Sequence, residues 1–205
     1  MSLFITFEGG EGCGKSTQSR LLYRRLHKLA IPALLVHEPG ITKLGKKITS
    51  LLKWSKDIQI SPVSELLLFN ASRAQLVEEI IRPNLKKGVV VLCDRYADST
   101  MAYQGYGRGI DMEMVITVNK TGMQEIKPDL TILLDIAVED GLKRKKDKKP
   151  DRFEKENITF HRRVREGYLK LAEKEPERWL VIDAQKNKEK ISGIIWQRVN
   201  KLLAK

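Results

Sequence analysis

The sequence predicts an α/β fold in which a five-stranded parallel sheet carries helices on both faces. Two observations predict it. Short apolar runs alternate with longer stretches of helical periodicity along all 205 residues. Two of the runs, "GVVVLCD" and "PDLTILLDI", are continuously apolar, as strands buried on both faces require.

The elements follow in order. "SLFITFE", residues 2–8, reads as a buried first strand and leads into a glycine loop. From Lys15 a helix keeps Leu21, Leu22, Leu26 and Leu29 on one apolar face. "PALLVHE" is the second strand, ended by Pro39-Gly40, and residues 42–54 form a short helix. Ser61 followed by Pro62 is a helix start, and the helix it opens is expected over 62 to about 82. "GVVVLCD" is the third strand, residues 111–125 are helical, and "PDLTILLDI" is the fourth strand. A helix begins at Val138. After a basic loop, another carries Phe160, Val164, Tyr168 and Leu171 on one stripe. "RWLVIDA" is the fifth strand, and residues 187–203 form the last helix. No repeat, flexible linker or low-complexity tail divides the chain, so 1–205 is expected to be one domain.

Composition narrows the function classes. The net charge of +12 leaves nucleic acid, membrane surfaces and phosphorylated small molecules open as partners. Much of the excess lies in "KRKKDKKPDR" at 143–152 and "RRVR" at 162–165, which also reads as a solvated basic surface. The two cysteines, Cys13 and Cys93, form no pair or CxxC pattern, and the three histidines make no ligand cluster. No apolar run approaches the ~18 residues of a membrane span. "MSLFITF" has no basic flank and reads as a strand, not a signal peptide, so a cytoplasmic location is expected.

The chemistry starts at "FEGGEGCGKST". Gly9, Gly14, Lys15 and Ser16 match the phosphate-loop pattern, with a strand before and a helix after. Glycines let successive backbone N–H groups turn toward phosphate oxygens, and the helix N-terminus adds its positive dipole end. Gly9, Gly10, Glu11, Gly12, Cys13, Gly14, Lys15, Ser16 and Thr17 are therefore the expected ATP-binding residues. Lys15 is the expected catalytic cation on the β- and γ-phosphates. The Ser16 hydroxyl and Asp94, lifted to the sheet's edge by "VVVLCD", are the expected ligands of a Mg²⁺ cofactor. A GTPase is excluded by the missing guanine-reading motif: "NKTG" at 119–122 lacks the aspartate, and Asp94 is followed by "RYA".

That following stretch, "DRYADSTMAYQGYGRGID", resembles the monophosphate signature of thymidylate kinases. The resemblance continues in "FEGGEGCGKSTQ", "HEPG", "LLLFNASRAQ", "DRFE" at 151–154 and "VIDA" at 181–184, in family order across the chain. It implies the architecture of a phosphate-loop nucleoside monophosphate kinase. The implied activity is phosphorylation of dTMP to dTDP with ATP and Mg²⁺, on the way to dTTP. The implied partners are small-molecule substrates, with no nucleic acid and no membrane, and a homodimer formed through helices that include 62–82.

The resemblance also implies roles. Phe69 would stack on the pyrimidine and Arg73 would reach thymine O4; they lie four apart on one helix. From the residues alone Phe69 reads as core beside Leu66 and Leu68. Arg95, beside the magnesium acid, would grip the dTMP phosphate, and a planar guanidinium suits that task. Ser99, Thr100 and Gln104 would border the base. Tyr103 would pack against the deoxyribose, although it reads equally as a packed helix aromatic. Glu11 would meet the acceptor's 3′-hydroxyl, with the bland reading of a solvated loop acid beside it. Gly12 stands where one branch of the family keeps a catalytic arginine. The bacterial-like branch draws that arginine from a lid, here about 143–155, which makes Arg152 the first catalytic candidate and Arg144 the second. Lysines 145, 146, 148 and 149 would set the attracting field. Arg152→Ala is then expected to lower kcat far more than KM. Two departures stand out: His37 and Ile41 replace the arginine and second glycine of the family's R-E-P-G-G turn. Because Ile41 resists positive φ, that turn is expected to differ.

Overall fold

The computed structural model describes residues 2–55, 57–145 and 150–204. Five strands, β1 (Phe4–Glu8), β2 (Ala33–His37), β3 (Val90–Asp94), β4 (Leu130–Asp135) and β5 (Trp179–Asp183), form one sheet in the order β2-β3-β1-β4-β5. All four pairings are parallel. The fold class expected from the pattern is therefore the one observed. β1, β3 and β4 are buried along most of their length, which explains their unbroken apolar runs. Asp94 lies beside Phe7 and His37 in the register, so β1, β2 and β3 end level at the carboxyl edge where the glycine loop begins.

Helix α1 (Lys15–Lys28) packs against β1, β2 and β3, with Leu22 and Leu26 buried. Leu29, expected on the same stripe, is the helix's C-cap and is 52% exposed, because the periodicity ends with the helix. Helix α2 (Lys43–Trp54) is capped by the Thr42 hydroxyl, which accepts from Gly45 N at 2.9 Å. Helix α3 (Pro62–Leu76) is capped by Ser61 as expected. It does not stop near 82. A wider π turn, Val77–Ile81, carries it into α4 (Arg82–Lys86). Pro83 explains the widening: it donates no N–H and its ring crowds the carbonyl four residues back.

No element was expected over the stretch after Asp94, although Tyr103 also read as a packed helix aromatic; the stretch is helical, with α5 (Ala97–Thr100) running into a π-helical segment, Met101–Gly107. Its glycines disguise it, since glycine disfavours helix. Their reason is close packing: a Cβ on Gly107 would stand 2.7 Å from the Phe160 ring. Helices α6 (Met112–Met123), α7 (Val138–Lys143), α8 (Ile158–Lys174) and α9 (Lys188–Leu203) complete the fold. α8 lies on the 101–107 segment, placing Phe160, Val164 and Tyr168 in the same apolar cluster as Tyr103. Of the expected lid, residues 146–149 lie outside the described residues.

Candidate active site

The glycine loop folds around the Lys15 ammonium, which donates to the carbonyls of Gly9 at 3.0 Å and Gly10 at 2.8 Å. Gly14 caps α1 with φ of 98°, so the first helical N–H groups face the loop's mouth. Gly12 has φ of 68°, and a Cβ there would stand 2.0 Å from the Gly141 carbonyl oxygen. The loop is thus pressed onto α7, and no arginine fits at this position without displacing it.

The Ser16 hydroxyl and the Asp94 carboxylate meet at 2.5 Å. This is a hard, oxygen-only pair of the kind magnesium takes, beside a loop shaped for phosphates. Both line an open cleft together with Lys15, Arg95, Arg144 and Lys145. Among the described residues no group of three His, Cys, Asp or Glu side chains could hold a metal. A Mg²⁺ here would therefore draw its remaining ligands from nucleotide and water.

Arg95 occupies the left-handed region, with φ of 71°. A non-glycine residue there is strained and needs surrounding contacts to hold it. The Arg95 N–H donates to the Phe7 carbonyl at 3.0 Å. Its guanidinium donates to the Gly9 carbonyl at 3.1 Å, the Tyr168 hydroxyl at 3.1 Å and Glu11 at 2.7 Å. Behind it Glu8, fully buried, accepts from the Ser99 and Tyr168 hydroxyls at 2.6 and 3.0 Å and from Tyr96 N at 2.8 Å. Burial, then the Asp98 charge, push the Glu8 carboxyl up to about 7. Burial works against the charged form of Glu11 too, but Arg95, Lys15 and Lys145 outweigh it and hold this carboxyl well below the usual carboxylate range.

A second pocket is lined by Phe69, Arg73, Ser99, Thr100, Tyr103 and Gln104, and it shares Glu11 and Arg95 with the first. All the residues expected to bind the acceptor are thus brought to one pocket. Glu11 is no solvated loop acid: it accepts from Arg95, from the Tyr103 hydroxyl at 2.9 Å and from Lys145 at 2.6 Å.

Arg73 is only 1% exposed and is held on every side. It pairs bidentately with Glu38 at 3.1 and 2.6 Å and donates to Asn119 at 2.5 Å, Asn70 at 2.9 Å and Thr100 at 2.6 Å. Glu38 and Asn119 were not among the expected site residues. Glu38 was visible only as part of "HEPG", and Asn119 only inside the rejected "NKTG". The turn between β2 and α2 has a cis Glu38–Pro39 bond and positive φ at Gly40. Ile41 avoids positive φ and packs on the Phe4, Val36 and Tyr96 cluster. His37 lines the phosphate cavity.

Of the two lid arginines, Arg144 lines the phosphate cavity and donates to the Ala184 carbonyl at 3.2 Å. Arg152 does not line that cavity, although its neighbours Asp151 and Glu154 do. Its guanidinium is ion-paired with Glu65 of α3, on the side of the acceptor pocket.

A parallel sheet with a phosphate loop at its carboxyl edge, meeting an aromatic-lined pocket at Glu11 and Arg95, defines a phosphate-loop kinase acting on a nucleotide. Comparison with known proteins narrows the class. The thymidylate kinase family model matches residues 7–195. A thymidylate kinase of Dehalococcoides mccartyi (strain CBDB1) is 56% identical over 203 residues, covering 99% of this chain and 98% of that one. One from Roseiflexus castenholzii is 44% identical, covering 100% of this chain and 95% of that one. The crystal structure of thymidylate kinase from Ehrlichia chaffeensis is similar with a TM-score of 0.74 and 37% identity, over 88% of this chain and 92% of that one. The chain belongs to the thymidylate kinase family.

Proposed function

We propose that this chain transfers the γ-phosphoryl group of ATP to the phosphate of dTMP, giving dTDP for dTTP synthesis, with Mg²⁺ as its cofactor. The observation that carries the reading is the junction of the two cavities at Glu11 and Arg95. Two nucleotides placed in them meet end to end at one fixed guanidinium.

The residues then take these parts. The backbone of Gly9–Thr17 wraps the ATP phosphates, and Lys15 follows the β- and γ-oxygens. Ser16 and Asp94 hold Mg²⁺, which supplies charge neutralisation on the phosphates when bound. Arg95 holds the acceptor phosphate in line and meets the charge that spreads over the transferred group. Arg144 is placed to add counter-charge from the donor side. Phe69 stacks on thymine, Arg73 presents a guanidinium edge already oriented by Glu38 and Asn119, and Thr100 and Gln104 border the base. Tyr103 stands at the sugar, with Glu11 beside its hydroxyl. The thymine methyl gives only about 1–3 kcal/mol over uracil, so dUMP is a poorer substrate but a real one.

The reading implies a cytoplasmic enzyme and a homodimer; among the described residues no helix is long and apolar enough to cross a membrane. Support for the dimer comes from Val63 and Leu67, one turn apart on α3 and 44% and 53% exposed. Sedimentation of the protein at micromolar concentration checks it. The reaction itself is tested by a coupled assay with ATP and each monophosphate. Turnover on dTMP several-fold above dCMP, dGMP and the ribonucleotide TMP is expected. Equal turnover on another monophosphate or a deoxynucleoside, or DNA-stimulated ATP hydrolysis with no monophosphate dependence, would overturn it.

A further inference from the structure

We propose that the turn Asp151–Glu154 is a fixed wall of the acceptor pocket, pinned by Arg152 on Glu65, and that Arg152 positions dTMP instead of meeting the transferred phosphoryl group. The inference rests on the dTMP reading above.

Glu65 is the centre of the argument. It lies one turn before Phe69 on α3 and is 1% exposed. Its carboxylate accepts from Gln104, at the base, at 2.7 Å, from Arg108 at 3.1 and 3.2 Å, and from Arg152. Arg108 in turn donates to Glu156 at 2.6 Å. Two guanidinium groups and two carboxylates thus balance in one partly buried cluster. Withdrawing Arg152 toward the phosphates would leave an excess negative charge there, with Glu65 out of reach of water.

The turn itself is packed, not free. Phe153 is 5% exposed and its ring centroid lies 5.5 Å from that of Phe69 and 6.4 Å from that of Tyr103. A base sandwiched between two rings needs about 7 Å, two contacts of about 3.5 Å each. Phe69 and Phe153 are therefore one continuous aromatic wall, with the Arg152 guanidinium 5.0 Å over the Phe153 ring. Asp151 fixes the backbone by accepting from Phe153 N at 2.9 Å and Glu154 N at 3.0 Å, and it pairs with Lys53 at 3.1 Å. Asp151 and Phe153 both line the acceptor pocket. Through Glu65, Arg152 shares an anchor with Gln104, so losing it loosens Phe153 and Gln104 together.

The test compares Arg152→Ala, Arg152→Lys, Glu65→Gln and the Arg152→Ala/Glu65→Gln pair, using calorimetric titration with dTMP alone and steady-state kinetics. Arg152→Ala is expected to weaken dTMP binding about tenfold. At saturating dTMP kcat should stay within about threefold and KM for ATP within about twofold. Arg152→Lys should recover part of the dTMP affinity, and the double variant should lose little more than the worse single one. Arg108 stays paired with Glu65 when Arg152 is replaced, and thermal unfolding of each variant separates loss of fold from loss of dTMP affinity, so Arg152→Ala decides the matter even if Glu65→Gln does not fold. Unchanged dTMP affinity with kcat lowered a hundredfold would overturn the proposal and return Arg152 to the phosphoryl group. Wild-type protein that neither binds nor turns over dTMP would overturn the function, and the positioning role with it, whereas dTMP affinity unchanged in Arg152→Ala overturns the positioning role alone.

Discussion

The donor side and the acceptor side of this site are built by different means. The proposed donor side is nine consecutive residues, Gly9–Thr17, folded around the Lys15 ammonium, with Asp94 of the neighbouring strand against Ser16. The acceptor side is a set of side chains drawn from the glycine loop, the β2–α2 turn, α2, α3, the segment after β3, α6 and the Asp151–Glu154 turn. Its polar groups satisfy one another before any ligand arrives: Arg73 alone joins residues 35 and 46 positions away. One half is a preformed loop on a helix end. The other is a buried charged network, whose members cost stability when a partner is lost.

That contrast predicts a split between stability and turnover. Glu38→Met leaves Arg73 charged, 1% exposed and without its carboxylate. Removing one partner of such a pair costs about 3–5 kcal/mol. Urea unfolding should show this loss, together with weaker dTMP binding and little change in ATP binding. Lys15→Met should do the reverse. Its ammonium meets only loop carbonyls and the Cys13 sulfur, so the unfolding midpoint should hardly move. Turnover should fall by about 10²–10³, the usual worth of a fixed charge at a developing anion. A Lys15→Met protein that unfolds as readily as Glu38→Met would break the distinction.

The same contrast explains what could be read beforehand. Strand β3 was expected over 88–94 and runs Val90–Asp94, because an unbroken apolar run fits little else in an alternating pattern. The glycine loop was equally plain, since its function is local. The pocket's lining residues came through the family resemblance, but their partners did not. Nothing local marks Asn119 as the acceptor for Arg73, or Glu65 as the seat of Arg152; those pairings exist only once α3, α6 and the 151–154 turn are packed together. The helix over 97–107 was hidden because its glycines serve packing against Met112 and Phe160, not a turn.

Glu8 sharpens the comparison from behind Arg95. Its carboxyl is raised from 4.5 to about 7, so the folded protein binds a proton that the unfolded chain has released. Stability from this group is full below about pH 4.5 and declines as pH rises to about 7, by about 3 kcal/mol in all. Arg95 and the Ser99 hydroxyl oppose the shift, and Asp98, itself paired with Arg178, supports it. Glu8→Gln should remove that decline when unfolding free energies are compared between pH 4.5 and 7.5. A variant whose stability falls with pH as steeply as the wild type would mean that Glu8 is ionised in the fold.

The smallest expected effect falls on Glu11, which with Arg95 belongs to both halves. Glu11 sits in the phosphate loop, but its carboxylate faces Arg95, Tyr103 and Lys145. A carboxylate in a phosphate loop should repel ATP; held between Arg95 and Lys145, it is neutralised before ATP arrives. Glu11→Gln keeps the shape and removes the charge. The Arg95 and Tyr103 contacts should weaken by about the worth of one charge-assisted hydrogen bond, roughly 1.5 kcal/mol, or about tenfold in dTMP affinity. ATP loses a repelling neighbour, and Lys145 keeps only Glu154 as a carboxylate partner, so ATP affinity should hold or rise slightly. Titrating each nucleotide separately reads both numbers from one variant. Equal losses for the two nucleotides would make Glu11 a structural residue of the loop, and the boundary between donor and acceptor would then run through Arg95 alone.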